Sequence, residues 1–242
     1  MKSEMLLLIF ATALGLLWVG SLPPTLNAAE DGSGSVTGQV KFQGTAPKAT
    51  RIDMSADPNC LKAHPTPATT EDVVVGADGS LENVIVYVAE GMPNQTFQPS
   101  AQPVVLEQKG CQYQPHVLAL EANEKLDVVN ADKTTHNIHP MPENNREWNK
   151  TQPPGVPIEE SFAREEIAIP VKCNIHPWMH GYIAVFKHPF FAVTDKDGRF
   201  QIKNLPPGNY TIKAWQEKLG TQIQKTSIQT GQIANVDFTF KQ

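Results

Sequence analysis

A seven-residue run from Cys173 to Met179 constrains this chain more than any other feature, because it places three kinds of metal donor on one short loop. Two residues separate the Cys173 thiol from the imidazole of His176, and two more separate that imidazole from the Met179 thioether. Thiolate and thioether are soft ligands that favour Cu(I), and imidazole suits both oxidation states of copper. A mononuclear copper site of this kind needs another imidazole, so the fold has to bring a second histidine from elsewhere in the chain.

His136 is the candidate for that second imidazole. It follows an apolar alternating segment, 126–130, and a polar turn. The cysteine loop is likewise framed by two strand-like segments, 167–172 and 182–186. A cysteine and a histidine at this spacing form a weak motif alone, and a buried thiol beside an ordinary loop histidine would produce the same pair. The flanking strands and Met179 at ligand spacing make the metal interpretation the stronger one.

These two segments resemble the ligand segments of the cupredoxins, the small blue-copper electron carriers, and the loop spacing looks most like that of amicyanin. The resemblance implies a Greek-key β-sandwich that binds one mononuclear type 1 copper ion and transfers electrons. It also implies that Asn137 ties the two ligand loops together by hydrogen bonds. By position, His176 would lie at the surface and pass electrons to a partner, and Trp178 would belong either to the docking patch or to the core. The implied metal ligands are His136, Cys173, His176 and Met179.

Neighbouring residues leave two points open around this site. His180 directly follows Met179 and could compete with it as the axial ligand, although we expect Met179 to take that position. His139 is expected to be solvated or hydrogen-bonded within its own loop. The long, polar and proline-rich segment 141–157 is expected to form a cover near the metal.

The character of the chain changes after residue 188, where short strand-like segments alternate with turns. The patterns at 197–200 and 205–210 resemble those of the carboxypeptidase-regulatory-like, or transthyretin-like, β-sandwich. A segment of about 55 residues cannot bury much apolar surface alone. We therefore expect the tail to pair with N-terminal strands at 36–42 and 83–88.

The expected fold class is all-β: a Greek-key cupredoxin β-sandwich associated with a second, small transthyretin-like β-sandwich. The predicted divisions are a signal peptide at 1–29, an N-terminal β segment at 30–102 that is expected to co-fold with the tail, a copper-binding domain at 103–188 and the tail segment at 189–242.

The first residues are typical of a secretory signal. Lys2 precedes an apolar run over 5–19, and small residues lead up to Ala29. The run is shorter than the roughly 20 residues that a spanning helix requires, which favours cleavage over anchoring. We therefore expect a periplasmic or secreted protein without stable membrane insertion.

Three cysteines are present, and if Cys173 binds copper then Cys60 and Cys111 remain. Export makes a disulfide between these two the simplest interpretation. It would close a loop of about 50 residues, which the chain-entropy model values at roughly 4 kcal/mol. Two free thiols, or a second metal site that includes His64 and His116, remain open alternatives.

Charge and motif content exclude several functions. The formal net charge of −5 argues against nucleic-acid binding, which usually requires a concentrated basic patch. Multicopper enzymes require further paired histidines, and a dinuclear copper centre requires two cysteines in the ligand loop. The sequence carries neither, so we do not expect an enzyme. An exported electron carrier with an unidentified redox partner protein is favoured over a copper chaperone or a partner- or carbohydrate-binding module.

Overall fold

The computed structural model describes residues 32–241, and in this range β-strands dominate and are accompanied by one short helix. The all-β expectation is therefore confirmed. The signal peptide predicted for 1–29 lies outside the described residues. In the part of the chain that is described, no helix is long and apolar enough to cross a membrane.

The elements follow one another in this order: β1 Gly34–Gln43, α1 Pro58–Ala63, β2 Ile85–Glu90, β3 Val104–Lys109, β4 Gln112–Gln114, β5 Val117–Glu121, β6 Leu126–Asn130, β7 His136–Pro140, β8 Lys150–Gln152, β9 Ile158–Glu160, β10 Glu166–Lys172, β11 His180–Phe186, β12 Phe191–Val193, β13 Arg199–Leu205, β14 Gly208–Gln216, β15 Gly220–Ile228, β16 Ile233–Asn235 and β17 Phe238–Lys241.

The first and last parts of the chain fold together into what we call the tail sandwich. Strand β1 pairs antiparallel with β13 and parallel with β16 and β17, for example Val36 opposite Ile202 and Val40 opposite Phe238. A second sheet, with the strand order β12-β2-β14-β15, packs against it through a shared apolar core. The pairing expected between N-terminal and C-terminal strands is thus present. It gives the short tail enough apolar surface to bury.

The turn before β13 shows how closely the two ends of the chain approach. Gly198 has a φ of +68°, a left-handed conformation that glycine adopts readily. A Cβ atom at this position would lie 2.4 Å from the Val40 carbonyl oxygen. The Asp195 carboxylate accepts hydrogen bonds from the backbone N–H groups of Asp197 and Arg199 and so stabilises the turn.

The middle of the chain forms what we call the ligand sandwich. Its two sheets have the strand orders β5-β11-β10-β7-β8 and β4-β3-β6-β9, and they enclose a second apolar core. Strands β7 and β10 are antiparallel neighbours, so the start of one lies beside the end of the other. This arrangement brings His136, the first residue of β7, next to Cys173, which directly follows β10.

The N-terminal segment contributes to both sandwiches. Met54 precedes the short helix and Cys60 lies within it. Both belong to the core of the ligand sandwich. Between the sandwiches, Tyr182 of β11 packs edge-on against Trp215 of β14, with ring centroids 5.2 Å apart. The boundary proposed at residue 102 stays a prediction, but one part of the 30–102 segment packs on the ligand sandwich.

Candidate metal centre

The cysteine loop is held by its own backbone. The N–H of Cys173 donates to the carbonyl of Met179 at 3.1 Å, and the N–H of Met179 donates to the carbonyl of His176 at 2.9 Å. The Cys173 sulfur in turn accepts hydrogen bonds from the backbone N–H groups of His176 and Asn137, each at 3.3 Å. The loop therefore presents an unpaired, buried thiol in a position that its hydrogen bonds determine.

Three predicted ligands converge on one point, and we call them the Cys173 cluster: His136, Cys173 and His176. One donor atom of each lies within 4.8 Å of the others. The two Nδ1 atoms are 3.0 Å apart, and the sulfur is 3.9 Å from Nδ1 of His176. A metal with bonds of roughly 2.0 Å to nitrogen and 2.3 Å to sulfur can bridge donors at such separations. All three residues are at most 3% exposed.

A carboxylate contacts each imidazole on the side that faces away from the cluster. Nε2 of His136 lies 2.8 Å from Oδ2 of Asp132, and Nε2 of His176 lies 3.1 Å from Oδ2 of Asp57. Because each Nε2–H can donate to a carboxylate, each Nδ1 is left as the nitrogen that faces the cluster. Hydrogen bonds of this kind set the tautomer and orientation of metal-binding histidines.

These contacts also set the proton affinities of the cluster. Burial alone would raise the pKa of the Cys173 thiol, but hydrogen bonds with His136 and with backbone N–H groups outweigh burial and lower it. Burial would lower the pKa of His136, yet its hydrogen bonds with Asp132 and Cys173 raise it. The pKa of His176 is lowered, mainly by burial. A thiol that ionises readily is suited to metal binding, because metal ligands must be deprotonated.

Asn137 makes the contacts that its position implied. Its Oδ1 accepts a hydrogen bond from the N–H of Asn174 at 3.0 Å, which joins the two ligand loops. Its Nδ2 donates to Oδ1 of Asn149 at 2.6 Å, and its carbonyl accepts from the Tyr113 hydroxyl. The Asn137 side chain thus connects both loops to the segment 141–157.

Met179 and His180 differ in their surroundings. Met179 is 1% exposed and lies in the core of the ligand sandwich together with Cys173. His180 instead contacts Asp72, with 3.1 Å between Nε2 and Oδ1, and packs edge-on against His116. Met179 therefore lies on the buried side of the loop with Cys173, whereas His180 contacts Asp72 and His116. His139 is hydrogen-bonded to Glu147.

The expectation that His176 lies at the surface is wrong, because its residue is 3% exposed. Its Nε2 atom is covered by Asp57 and by the sulfur of Cys60, which is 3.7 Å away. Cys60 forms a disulfide with Cys111, and this bond anchors the cover to the ligand sandwich. The Trp178 ring packs beside His176 at 5.1 Å between centroids and donates its N–H to the Cys111 carbonyl.

Asp57 and Cys60, the residues that cover His176, lie at the start of helix α1. The sequence analysis did not predict this helix. Asp57 is the N-cap: Oδ1 accepts from the N–H of Asn59, and Oδ2 contacts both His176 and the Thr134 hydroxyl. Those bonds, led by the one from Thr134, lower the pKa of Asp57 to about 2. An Asp followed by Pro58 is a recognisable helix start, and that signal could have located the helix but not its contact with His176.

The segment 141–157 lies near the cluster, as expected, whereas the contacts with Nε2 of His176 come from Asp57 and Cys60. Its strand β8 pairs with β7, with Gln152 opposite His136, so the segment extends the sheet beside the cluster. Trp148 is buried in the core of the ligand sandwich. The second metal site considered for Cys60, His64, Cys111 and His116 is excluded, because both cysteines are in the disulfide.

Comparison with known proteins supports the resemblance noted for the tail. The model of the carboxypeptidase regulatory-like domain matches residues 183–241. No curated protein sequence matches the chain.

Similar solved structures include three copper proteins. A Cu-containing nitrite reductase from Thermus scotoductus SA-01 is 19% identical over 41% of this chain, with a TM-score of 0.35, and the match spans only 26% of that enzyme. A reduced amicyanin variant is 16% identical over 41% of this chain and 97% of its own, with a TM-score of 0.32. A purple cupredoxin from Nitrosopumilus maritimus is 26% identical over 30% of this chain and 80% of its own, with a TM-score of 0.27.

Proposed function

We propose that this chain is an exported type 1 copper protein that transfers electrons. The observation that carries the proposal is the Cys173 cluster, in which one buried thiol and two imidazoles lie within 4.8 Å with both Nδ1 atoms facing inward. This donor set, with a thioether on the same loop, is the one that mononuclear blue-copper sites use. When bound, copper would supply a one-electron couple.

The protein's contribution would be to hold the ligands in place through both oxidation states. Two backbone N–H groups already point at the Cys173 sulfur, and two carboxylates hold the imidazoles. Hydrogen bonds to the sulfur and burial of the site are among the features that tune the potential of such centres. We propose Met179 as the weak axial ligand.

The cover changes the expected route of electrons. Because His176 is buried, we propose that a redox partner protein docks over the exposed residues of its loop. Ile175 is 46% exposed, Pro177 is also exposed, and half-buried Trp178 contacts the His176 ring. An apolar patch over a stacked aromatic ring is suited to a transient redox contact.

Export is supported by the disulfide, since such bonds persist mainly in oxidising compartments. The net charge supports a partner other than nucleic acid. We propose no catalytic activity for the chain. A copper chaperone is the alternative, and a partner- or carbohydrate-binding role for the tail sandwich is compatible with either. The burial of the Cys173 cluster favours the carrier, because a chaperone has to release its metal readily.

Copper loading tests this proposal. We expect one equivalent of Cu²⁺ to produce a strong visible thiolate-to-copper band and a type 1 paramagnetic resonance spectrum. Cys173→Ser should abolish the band, because serine supplies no thiolate. His139→Gln is the matched control, since His139 lies on the same strand and should leave the spectrum unchanged. An unaltered band in Cys173→Ser would refute the proposed site, and rapid loss of copper to a chelator would favour the chaperone.

A further inference from the structure

A second group of metal-binding side chains lies at the contact between the two sandwiches. His116 directly precedes β5, and His180 begins β11. These strands are parallel neighbours that begin at the same end of the sheet, with Val117 opposite Tyr182. Glu217 reaches the same point from the end of β14 in the tail sandwich. One donor atom from each of these residues, His116, His180 and Glu217, lies within 4.8 Å of the others.

The carboxylate in this group is buried and incompletely paired. The side chains of His116 and Glu217 are 4% and 1% exposed, and Nε2 of His116 lies 2.8 Å from Oε1 of Glu217. The other oxygen, Oε2, is buried and has no partner in hydrogen-bond geometry among the described residues. The Tyr182 phenol lies near the carboxylate, and burial, the charge of Glu217 and a smaller hydrogen-bond contribution from Glu217 raise its pKa to about 12. An unpaired buried carboxylate oxygen is costly, so a further positive partner is expected.

His180 is oriented as a ligand would be. Its Nε2 lies 3.1 Å from Oδ1 of Asp72, and its Nδ1 lies 3.3 Å from the Trp178 carbonyl oxygen. Whichever nitrogen binds a metal, the other can donate its N–H to one of these oxygens, which is the usual support for a metal-binding histidine.

The surroundings add negative charge and a small space. A cavity of about 10 Å³ lies beside the two histidines and is also lined by Glu71 and Gln112. Burial is the main reason that the pKa of Glu71 is raised. Lys218 adds a positive charge on the side of Asp72, because its Nζ lies 3.6 Å from Oδ1 of Asp72.

We propose that His116, His180 and Glu217, the Glu217 cluster, form a second metal site that binds Zn²⁺. Two imidazoles and a carboxylate are a common ligand set for Zn²⁺, which takes a fourth ligand such as water or a carboxylate to complete a tetrahedron. The cluster contains no thiolate or thioether, so it lacks the donors that favour Cu(I). A metal bound there would join the ligand sandwich to the tail sandwich, because Glu217 comes from the latter.

Counting bound Zn²⁺ by native mass spectrometry tests the proposal on the disulfide-intact protein. Zn²⁺ alone is the probe, and Cys173→Ser is the background, because it weakens the other cluster. We expect Glu217→Gln in this background to bind one equivalent fewer than its parent. Glu147→Gln is the matched control: Glu147 also pairs with a histidine, His139, but in an exposed position, and its loss should not change the count.

A second variant distinguishes loss of the metal site from misfolding of the protein. His180→Gln alters a side chain that is 36% exposed, so the fold should tolerate it, and it should also lose one equivalent. Thermal unfolding supplies an independent readout: Zn²⁺ should raise the Tm of the Cys173→Ser parent by a greater amount than that of either double variant. Equal Zn²⁺ stoichiometry and equal Tm shifts in the parent, Glu217→Gln and His180→Gln would overturn the proposal.

Discussion

The Cys173 cluster and the Glu217 cluster each contain two histidines from the strands of one sheet or from the loops at their ends, but they differ in the third donor. In the first cluster a thiol on the histidine loop completes the set, and every member belongs to the ligand sandwich. In the second a carboxylate arrives from the tail sandwich. One sheet thus presents two imidazole pairs, and the third donor would set the preference of each pair between soft and borderline metals.

The two clusters also differ in how they are enclosed. The Cys173 cluster is closed by a separate segment that a disulfide anchors, whereas the Glu217 cluster is closed by the contact between the sandwiches. Each enclosure can be disrupted without changing a ligand.

Removal of the disulfide should have the largest effect. Cys60→Ser with Cys111→Ser would release a loop with a sequence separation of 51 residues. The chain-entropy model predicts a loss of roughly 4 kcal/mol in the free energy of unfolding, which corresponds to a decrease in Tm of about 8–16 °C. Calorimetry of the metal-free protein measures this loss.

The same double variant should expose the Cys173 cluster and leave the Glu217 cluster intact. We expect faster copper loss to a chelator, because Cys60 no longer anchors the cover over His176. Zn²⁺ binding at the Glu217 cluster should persist. Copper release at the original rate would show that Asp57 and helix α1 keep the cover in place without the disulfide.

Disruption of the contact between the sandwiches should act on the other cluster. Trp215→Ala removes a half-buried ring that packs on Tyr182 at 5.2 Å between centroids. Full burial of such a ring is worth 3–5 kcal/mol, so about 2 kcal/mol is expected here. Zn²⁺ affinity should fall while the visible copper band is retained. A weakened copper band with unchanged Zn²⁺ affinity would contradict this separation of the two sites.

Acid should weaken the cover through Asp57, with the smallest effect of the three. The pKa of this carboxyl is lowered from 3.8 to about 2 in the folded protein. A lowered carboxyl pKa contributes stability above the unfolded value, and that contribution is lost as the pH falls from about 4 to about 2. Partial screening by water limits it to about 1 kcal/mol.

Asp57→Asn removes this titration. Between pH 4 and pH 2, the metal-free wild-type protein should therefore lose more unfolding free energy than the variant, as measured by urea denaturation. Parallel pH dependence in the two proteins would show that the Asp57 contacts with Thr134 and His176 add no stability.

Local patterns were sufficient to predict the Cys173 cluster. Its members lie in two short segments, and a cysteine, a histidine and a methionine at fixed spacing are rare enough to stand out. The disulfide could also be predicted from the sequence, because the assignment of Cys173 to a metal left one pair of cysteines. Alternation and turn residues predicted the strands of the tail, and its short length required partners from the N-terminal segment.

Long-range contacts between common residue types could not be predicted. Asp57 meets His176 across 119 residues, and Glu217 meets His116 across 101. Both acids are among 25 acidic residues in the chain, and no periodicity distinguishes them. The error about the surface position of His176 has the same origin, since the cover comes from a segment that reads as a loop.

The sequence by itself determined the donor types, the all-β class and the positions of many strands, because these depend on side-chain chemistry and on patterns over a few residues. Only the tertiary structure decided which carboxylates meet which imidazoles and which segment buries His176. The physical reason is that packing of the two sandwiches and of helix α1 sets those distances, and packing depends on the whole chain at once.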